Sequence, residues 1–199
     1  MLCIQNLKLS SNGIELMKAL SVSLFPGSIT YIRGRNGSGK TTLLQTLAGL
    51  KAITSGEIKL YGLNLTNFYK PYCIYLGHEL GLENEMTVLE QIEFWSVLYN
   101  SPQMIPAAVQ FWDLDEILDI KISLLSAGQK KRVALSRLTC CHSDLWLLDE
   151  PETNLDENNI KFLQHAMISK SQSGGIILLS SHIDNKIKNS QSIYISDFN

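Results

Sequence analysis

Residues 34–41 read Gly34-Arg35-Asn36-Gly37-Ser38-Gly39-Lys40-Thr41, a full match to the pattern G-x-x-x-x-G-K-[ST]. A loop that wraps phosphate must turn several backbone N–H groups inward, and glycine reaches the required backbone shapes at little cost. The run sits after a predicted strand, Ile29 to Ile32, and opens a predicted helix from Thr41, so the positive end of a helix faces the same space. Lys40 offers a full charge to β and γ phosphates, Thr41 a hydroxyl to Mg²⁺, and Thr42 continues the first turn. The chemistry expected here is the holding of a nucleoside triphosphate, ATP, with its Mg²⁺.

A second acidic centre follows. Leu145-Trp146-Leu147-Leu148 is an apolar strand that ends in Asp149-Glu150. Asp149 is suited to the Mg²⁺ shell and Glu150 to orienting and polarising an attacking water. Pro151 comes next, so the same pair also reads as a helix cap at a strand end. Leu125-Ser126-Ala127-Gly128-Gln129 opens another helix, with Ser126 as N-cap and Gly128 allowing close approach to the backbone. Taken by itself, that segment is equally an ordinary capped helix. His182 follows the strand Ile176 to Ser180; a lone histidine is usually a surface or core residue, but at a strand end beside a phosphate site it could contact the γ-phosphate as a switch. Cys140-Cys141-His142 lacks both the spacing of a haem-attachment motif and the further ligands of a zinc site. With Cys3 and Cys73, these cysteines are expected to be structural thiols in a reducing compartment.

The elements that must hold these groups follow from the rest of the chain. It has 199 residues, 17 basic and 19 acidic side chains, a formal net charge of −2 and 45% hydrophobic residues. That excludes wholesale disorder and fits one domain with a core, or one domain with a small subdomain. Near-neutral charge argues against a protein built to grip nucleic acid. The longest apolar stretches, Leu145 to Leu148 and Ile176 to Leu179, fall far short of the ~20 residues of a membrane span. No basic-then-apolar leader opens the sequence, so a cytoplasmic chain is expected.

Strands are predicted at Ile4 to Leu9, Leu20 to Leu24, Ile29 to Ile32, Glu57 to Leu60, Cys73 to Leu76, Leu145 to Leu148, Ile176 to Ser180 and Ile193 to Ile195. Several are apolar throughout, the mark of strands buried on both faces of a parallel sheet. Helices are predicted over Thr41 to Ala48, from the capping box Thr87-Val88-Leu89-Glu90 onward, over Ala127 to Leu138 and over Glu157 to Ile168. Val88, Ile92, Trp95 and Tyr99 mark the apolar face of the second. Residues from about 82 to 138 carry no good strand and read as a helical insert in an α/β core. Asn100 to Pro106 reads as a loop, and the acids Asp113, Asp115, Glu116 and Asp119 as a solvated helix face.

Together these motifs resemble the nucleotide-binding domain of ATP-binding-cassette (ABC) transporters, across essentially all of residues 1–199. GRNGSGKT at 34–41 is similar to its Walker A segment, LSAGQ at 125–129 to its signature, LWLLDE at 145–150 to Walker B, NLD at 154–156 to the D-loop, and His182 to the switch histidine. The resemblance implies a P-loop NTPase (RecA-like) parallel sheet with an antiparallel β-subdomain and an inserted α-helical subdomain. It also implies a head-to-tail homodimer in which Ser126, Gly128 and Gln129 of one copy close over ATP held by the other.

A narrower resemblance is to the CcmA family, the ATPases of the cytochrome c maturation (haem export) system, through YLGHELGLENEMTVLEQIEFW, LSAGQKKRVALSRL and LWLLDEP. It implies work on integral membrane subunits of the CcmB and CcmC type, at the cytoplasmic face of the inner membrane, to release a haem-loaded chaperone. Neither nucleic acid nor direct haem binding is expected. His78 stands where most ABC domains carry glutamine. A hard ion prefers oxygen there, so a water-bridged contact or a docking role is expected of it rather than direct Mg²⁺ ligation. No aromatic residue lies near Ser10 and Ser11 to stack on adenine, and Glu152 reads as a surface acid. The competing readings are an ABC cassette for another cargo, a soluble ATP-dependent clamp on DNA or the ribosome, and a small-molecule P-loop kinase. The last two fit poorly with a single cassette of neutral charge carrying a signature segment.

Overall fold

The computed structural model of the chain describes residues 1–11, 14–65, 72–181 and 187–195. Two sheets form its frame. Strands β1 (Leu2–Ser11), β2 (Ile14–Leu24), β4 (Ser55–Leu60) and β5 (Leu63–Asn64) make an antiparallel sheet in the order β2-β1-β4-β5. Strands β3 (Ile29–Arg33), β6 (Cys73–Leu76), β7 (Leu145–Asp149), β8 (Ile176–Ser180) and β9 (Gln191–Tyr194) make a parallel sheet in the order β6-β7-β8-β3-β9. Helices α1 (Lys40–Leu47), α2 (Val88–Leu98), α3 (Ile105–Phe111), α4 (Ala127–Cys140) and α5 (Glu157–Gln172) complete it. This is the P-loop NTPase arrangement expected: a parallel core, an antiparallel sheet beside it, and helices between β6 and β7.

The central strands β7 and β8 are buried at every position, as their continuous apolar runs require. Because successive side chains leave a strand on opposite faces, each feeds two cores. Leu145 and Leu147 pack with the antiparallel sheet and with Leu43, Leu44 and Leu47 of α1. Trp146 and Leu148 pack with α2, α4 and α5 through Ile92, Trp95, Leu135 and Leu163. Packing on both faces fixes the height at which β7 ends, and therefore the position of Asp149.

Between β6 and β7 the described chain carries helices and 3₁₀ turns, with an isolated β-bridge between Thr87 and Lys121. The Thr87–Glu90 capping box forms in both directions, with amide–side-chain distances of 3.2 and 2.8 Å. Residues 100–106 are not simply a loop. Pro102 opens a 3₁₀ turn and Pro106 stands in the first turn of α3, where a missing N–H costs nothing. Trp112 Nε1 then donates to Thr139 Oγ1 at 2.9 Å and ties α3 to α4. The acids after it are exposed as expected, but they lie on turns rather than a helix face: Asp113 has φ 53° and Asp115 opens a 3₁₀ turn.

Cys73, Cys140 and Cys141 are buried free thiols, and Cys3 is half-buried. Burial pushes the Cys73 thiol up to about 12. Among the described residues no helix is long and apolar enough to cross a membrane.

Candidate functional site

The loop from β3 to α1 is shaped by its glycines where the chain turns most tightly. Gly39 caps α1 in the left-handed conformation at φ 98°. A Cβ on Gly34 would sit 2.7 Å from Ser38 Oγ, so a larger residue there must push the Ser38 side chain aside. The helix starts with no side chain capping it, and its first i→i−4 bond runs from the Leu43 N–H to the Gly39 carbonyl. The amides of the first turn thus lie ahead of the helical ladder. Lys40 is 7% exposed and its Nζ donates to the carbonyls of Gly34 at 2.9 Å and Arg35 at 3.0 Å. The ammonium is held back over its own loop, at the positive end of the helix.

The register of the parallel sheet brings the remaining groups to the same end. Leu76 pairs with Leu148, so His78 and Asp149, far apart in sequence, leave adjacent strand ends together. Asp149 is 2% exposed. Ser180 Oγ donates to its Oδ1 at 2.6 Å, while Oδ2 is buried and has no hydrogen-bond partner among the described residues. His78 Nε2 lies 3.9 Å from that Oδ2. Glu150 follows with φ 50°, a left-handed backbone that costs a non-glycine residue about 1–2 kcal/mol. Its amide is held by Ser180, donating to the carbonyl at 3.2 Å and to Oγ at 3.0 Å.

These elements enclose a cleft of about 370 Å³ lined by Asn36, Gly37, Gly39, Lys40, Thr41, Thr42, His78 and Glu150, together with Leu16 from β2. The sequence motifs of the two halves therefore converge on one space. A buried carboxylate oxygen without a partner is costly in a folded protein unless a cation meets it. Asp149 Oδ2 and the Thr41 hydroxyl are hard oxygen donors, so the cleft fits Mg²⁺ as well as polyphosphate.

Three expected participants lie elsewhere. Ser126 and Gly128 are exposed and Gln129 is half-buried, and none lines the cleft. Ser126 Oγ accepts from the Gln129 amide at 3.2 Å and Gln129 Oε1 accepts from the Ser126 amide at 2.9 Å, a complete capping box at the start of α4. A Cβ on Gly128 would meet nothing within 4 Å. His182 lies outside the described residues, as do the side chains beside Ser10 from Ser11 to Glu15.

Sequence reading missed two features. Ser180, an unremarked strand end, grips both Asp149 and Glu150. Glu152, expected at the surface, is only half exposed. Burial raises its carboxyl pKa, and hydrogen bonds from its own backbone amide and the Ser181 side chain, with the charges of Arg33 and Lys131, pull it partly back. Lys131 is itself buried; desolvation lowers its pKa and Glu152 opposes the change. Arg33 reaches the same place, its Nη1 donating to the Ser181 carbonyl at 2.6 Å. Spacing alone carries no signal for such a cluster.

Comparison with known proteins identifies the family and the fold. Residues 17–153 match the ABC transporter family. The "Cytochrome c biogenesis ATP-binding export protein CcmA" of Rickettsia bellii is 46% identical over 196 residues, 98% of this chain and the whole of that protein. Among solved structures, an ABC transporter ATP-binding protein from Pyrococcus furiosus superposes with a TM-score of 0.85 at 23% identity, covering 100% of this chain and 98% of that one. A dimeric ATP-binding cassette in a post-hydrolysis state with ADP and Pi gives 0.84 at 20% identity, over 98% and 94%. With the phosphate loop, the acidic strand end and the sheet order already in place, the match over most of its length settles the family: this chain belongs to the ABC transporter ATP-binding proteins.

Proposed function

We propose that this chain is the ATP-hydrolysing subunit of an ABC transporter complex, and that it drives membrane subunits of the cytochrome c maturation (haem export) system. The observation that carries the reading is the convergence of Lys40, Thr41, His78, Asp149 and Glu150 at one cleft end of the parallel sheet. The near full-length likeness to a protein named CcmA directs it to haem-linked work.

In this reading the backbone and side chains of Gly34, Arg35, Asn36, Gly37, Ser38, Gly39, Lys40, Thr41 and Thr42 hold the phosphates. Thr41 and Asp149 hold Mg²⁺, which when bound neutralises charge on the phosphate oxygens. Glu150 orients a water and takes its proton as the water oxygen bonds to the γ-phosphorus. The bond to the β-phosphate oxygen breaks, giving ADP and phosphate. The left-handed backbone at Glu150 turns the chain sharply at the point where that base is needed.

Ser126, Gly128 and Gln129 act on ATP held by a second copy: their helix start stands at the surface and lines no part of this chain's own cleft. His182 contacts the γ-phosphate. The dimer works at the cytoplasmic face of the inner membrane, on integral partners of the CcmB and CcmC type, releasing the haem-loaded chaperone.

Glu150→Gln is the test of the chemistry. The variant is expected to bind Mg-ATP with wild-type affinity in calorimetry and to lose ~10²-fold or more of its turnover. Near-wild-type turnover would remove Glu150 from its role. For the cargo, deletion in the native organism is expected to abolish covalent haem in c-type cytochromes. Intact cytochromes would assign the cassette to another cargo.

A further inference from the structure

Strand β8 is apolar through Ile176, Ile177, Leu178 and Leu179 and then ends in Ser180, whose side chain is fully buried. A buried hydroxyl costs stability unless it is hydrogen-bonded, and an alanine would pack at this strand end without that demand. Sheet register places Ser180 between the two halves of the site. It stands beside Asp149 of β7 on one side and beside Ile32 of β3, just ahead of the phosphate loop, on the other.

Its hydrogen bonds run in one direction. An ionised carboxylate only accepts and the Glu150 amide only donates. The Ser180 hydroxyl hydrogen therefore goes to Asp149 Oδ1, at 2.6 Å, and the hydroxyl oxygen receives the Glu150 N–H, at 3.0 Å. The first bond occupies Oδ1. It leaves Oδ2, buried and without a hydrogen-bond partner among the described residues, as the oxygen open to a cation. The second bond pins the amide of a residue whose left-handed backbone, φ 50°, turns the chain after β7. We propose that Ser180 is a positioning residue for ATP hydrolysis: one hydroxyl selects the Asp149 oxygen that meets the nucleotide-bound cation and fixes the backbone from which Glu150 reaches the water. The inference rests on the ATP-hydrolysing reading above and adds to it a residue that does not line the cleft.

Ser180→Ala and Ser180→Cys in the full chain are the test. Alanine removes the hydroxyl, whereas cysteine restores side-chain bulk with only a weak donor. Calorimetry with ADP and no metal is expected to give wild-type affinity for both, because the phosphate loop is untouched. Mn²⁺ is the metal probe, its free signal followed by electron paramagnetic resonance as it titrates the ADP-saturated chain. Groups that orient a metal-ligating carboxylate typically contribute 10–100-fold, so Mn²⁺ affinity is expected to fall about 10-fold or more in both variants. Turnover at saturating Mg-ATP is expected to fall by a similar factor.

Wild-type Mn²⁺ affinity and turnover in Ser180→Ala would overturn the inference and leave the nucleotide site standing. So would recovery of both in Ser180→Cys, which would make bulk rather than the hydroxyl the cause. Loss of metal-free ADP binding in step with Mn²⁺ would assign Ser180 to the folding of the cleft and end its positioning role. A wild-type chain that binds no ADP would overturn the nucleotide site itself, and this inference with it.

Discussion

Helices α1 and α4 both begin with glycine-containing segments suited to anions, yet the two starts are built in opposite ways. At α1 the cap is a left-handed glycine, no side chain satisfies the first amides, and the adjoining Lys40 is buried. At α4 the cap is an extended Ser126 whose hydroxyl already accepts from the Gln129 amide, and the surrounding residues are open to solvent. The first arrangement leaves donors without a side-chain partner at the cleft, where a bound anion can accept from them. The second satisfies itself in isolation and offers an extra surface. A helix start that is stable without ligand, and that lies outside the cleft, is what a site completed by another copy requires. The contrast therefore carries the homodimer part of the proposal more directly than either motif alone.

The comparison breaks most readily at Lys40. Lys40→Ala removes the charge and leaves two loop carbonyls, of Gly34 and Arg35, without their donor. Charge-assisted hydrogen bonds contribute roughly 1.5–3 kcal/mol each, so nucleotide affinity is expected to fall about 10²-fold in calorimetry. Unchanged affinity would mean that α1 does not hold phosphate.

Gly128→Asp sharpens the other side. The added side chain has open space and a carboxylate suits the first turn of a helix, so thermal stability is expected to hold or rise. Affinity of the single chain for Mg-ATP is expected to stay within about twofold, while turnover falls about 10-fold or more as a negative charge meets the phosphates across the dimer. Loss of binding and turnover in parallel would place α4 in the same chain's cleft and end the contrast.

These differences explain what was legible in the sequence. The phosphate loop was legible because its function depends on backbone shape, and backbone shape fixes residue type at fixed spacing. The capping box at Thr87 was legible for the same reason, and β7 and β8 because double-sided burial leaves an unbroken apolar run. What escaped depends on contacts between distant residues. His78 meets Asp149 only because β6 lies beside β7. The grip of Ser180 needs β8 on the other side of β7. Helix α3 is hidden in the sequence because Pro106 serves equally to end a loop and to begin a helix. Glu152 looked like a surface acid because three acids in four residues suggest solvent. In the fold Arg33, Lys131 and Ser181 close around it.

Glu152 stands between α4 and the acidic strand end, since the Lys131 charge that acts on it belongs to the second turn of α4 and Glu152 itself follows β7. Burial is the largest influence on Glu152 and raises its pKa; the nearby cations only reduce that rise. The folded state therefore keeps the proton to higher pH than the unfolded chain does. The Glu152 contribution to folding stability then declines as pH climbs from the ordinary carboxylate range, about 4.3, through the raised value, and levels off above it. Glu152→Gln carries no such proton. In urea titrations the variant is expected to match wild type below the ordinary carboxylate range and to be the more stable of the two at neutral pH. The effect is small, and it is diagnostic in its pH dependence rather than its size. Were the variant instead the weaker at neutral pH, the attraction of Arg33 and Lys131 would outweigh burial. Glu152 would then be an ionic tie holding the start of α4 to the catalytic strand, and the two regions would be coupled by charge.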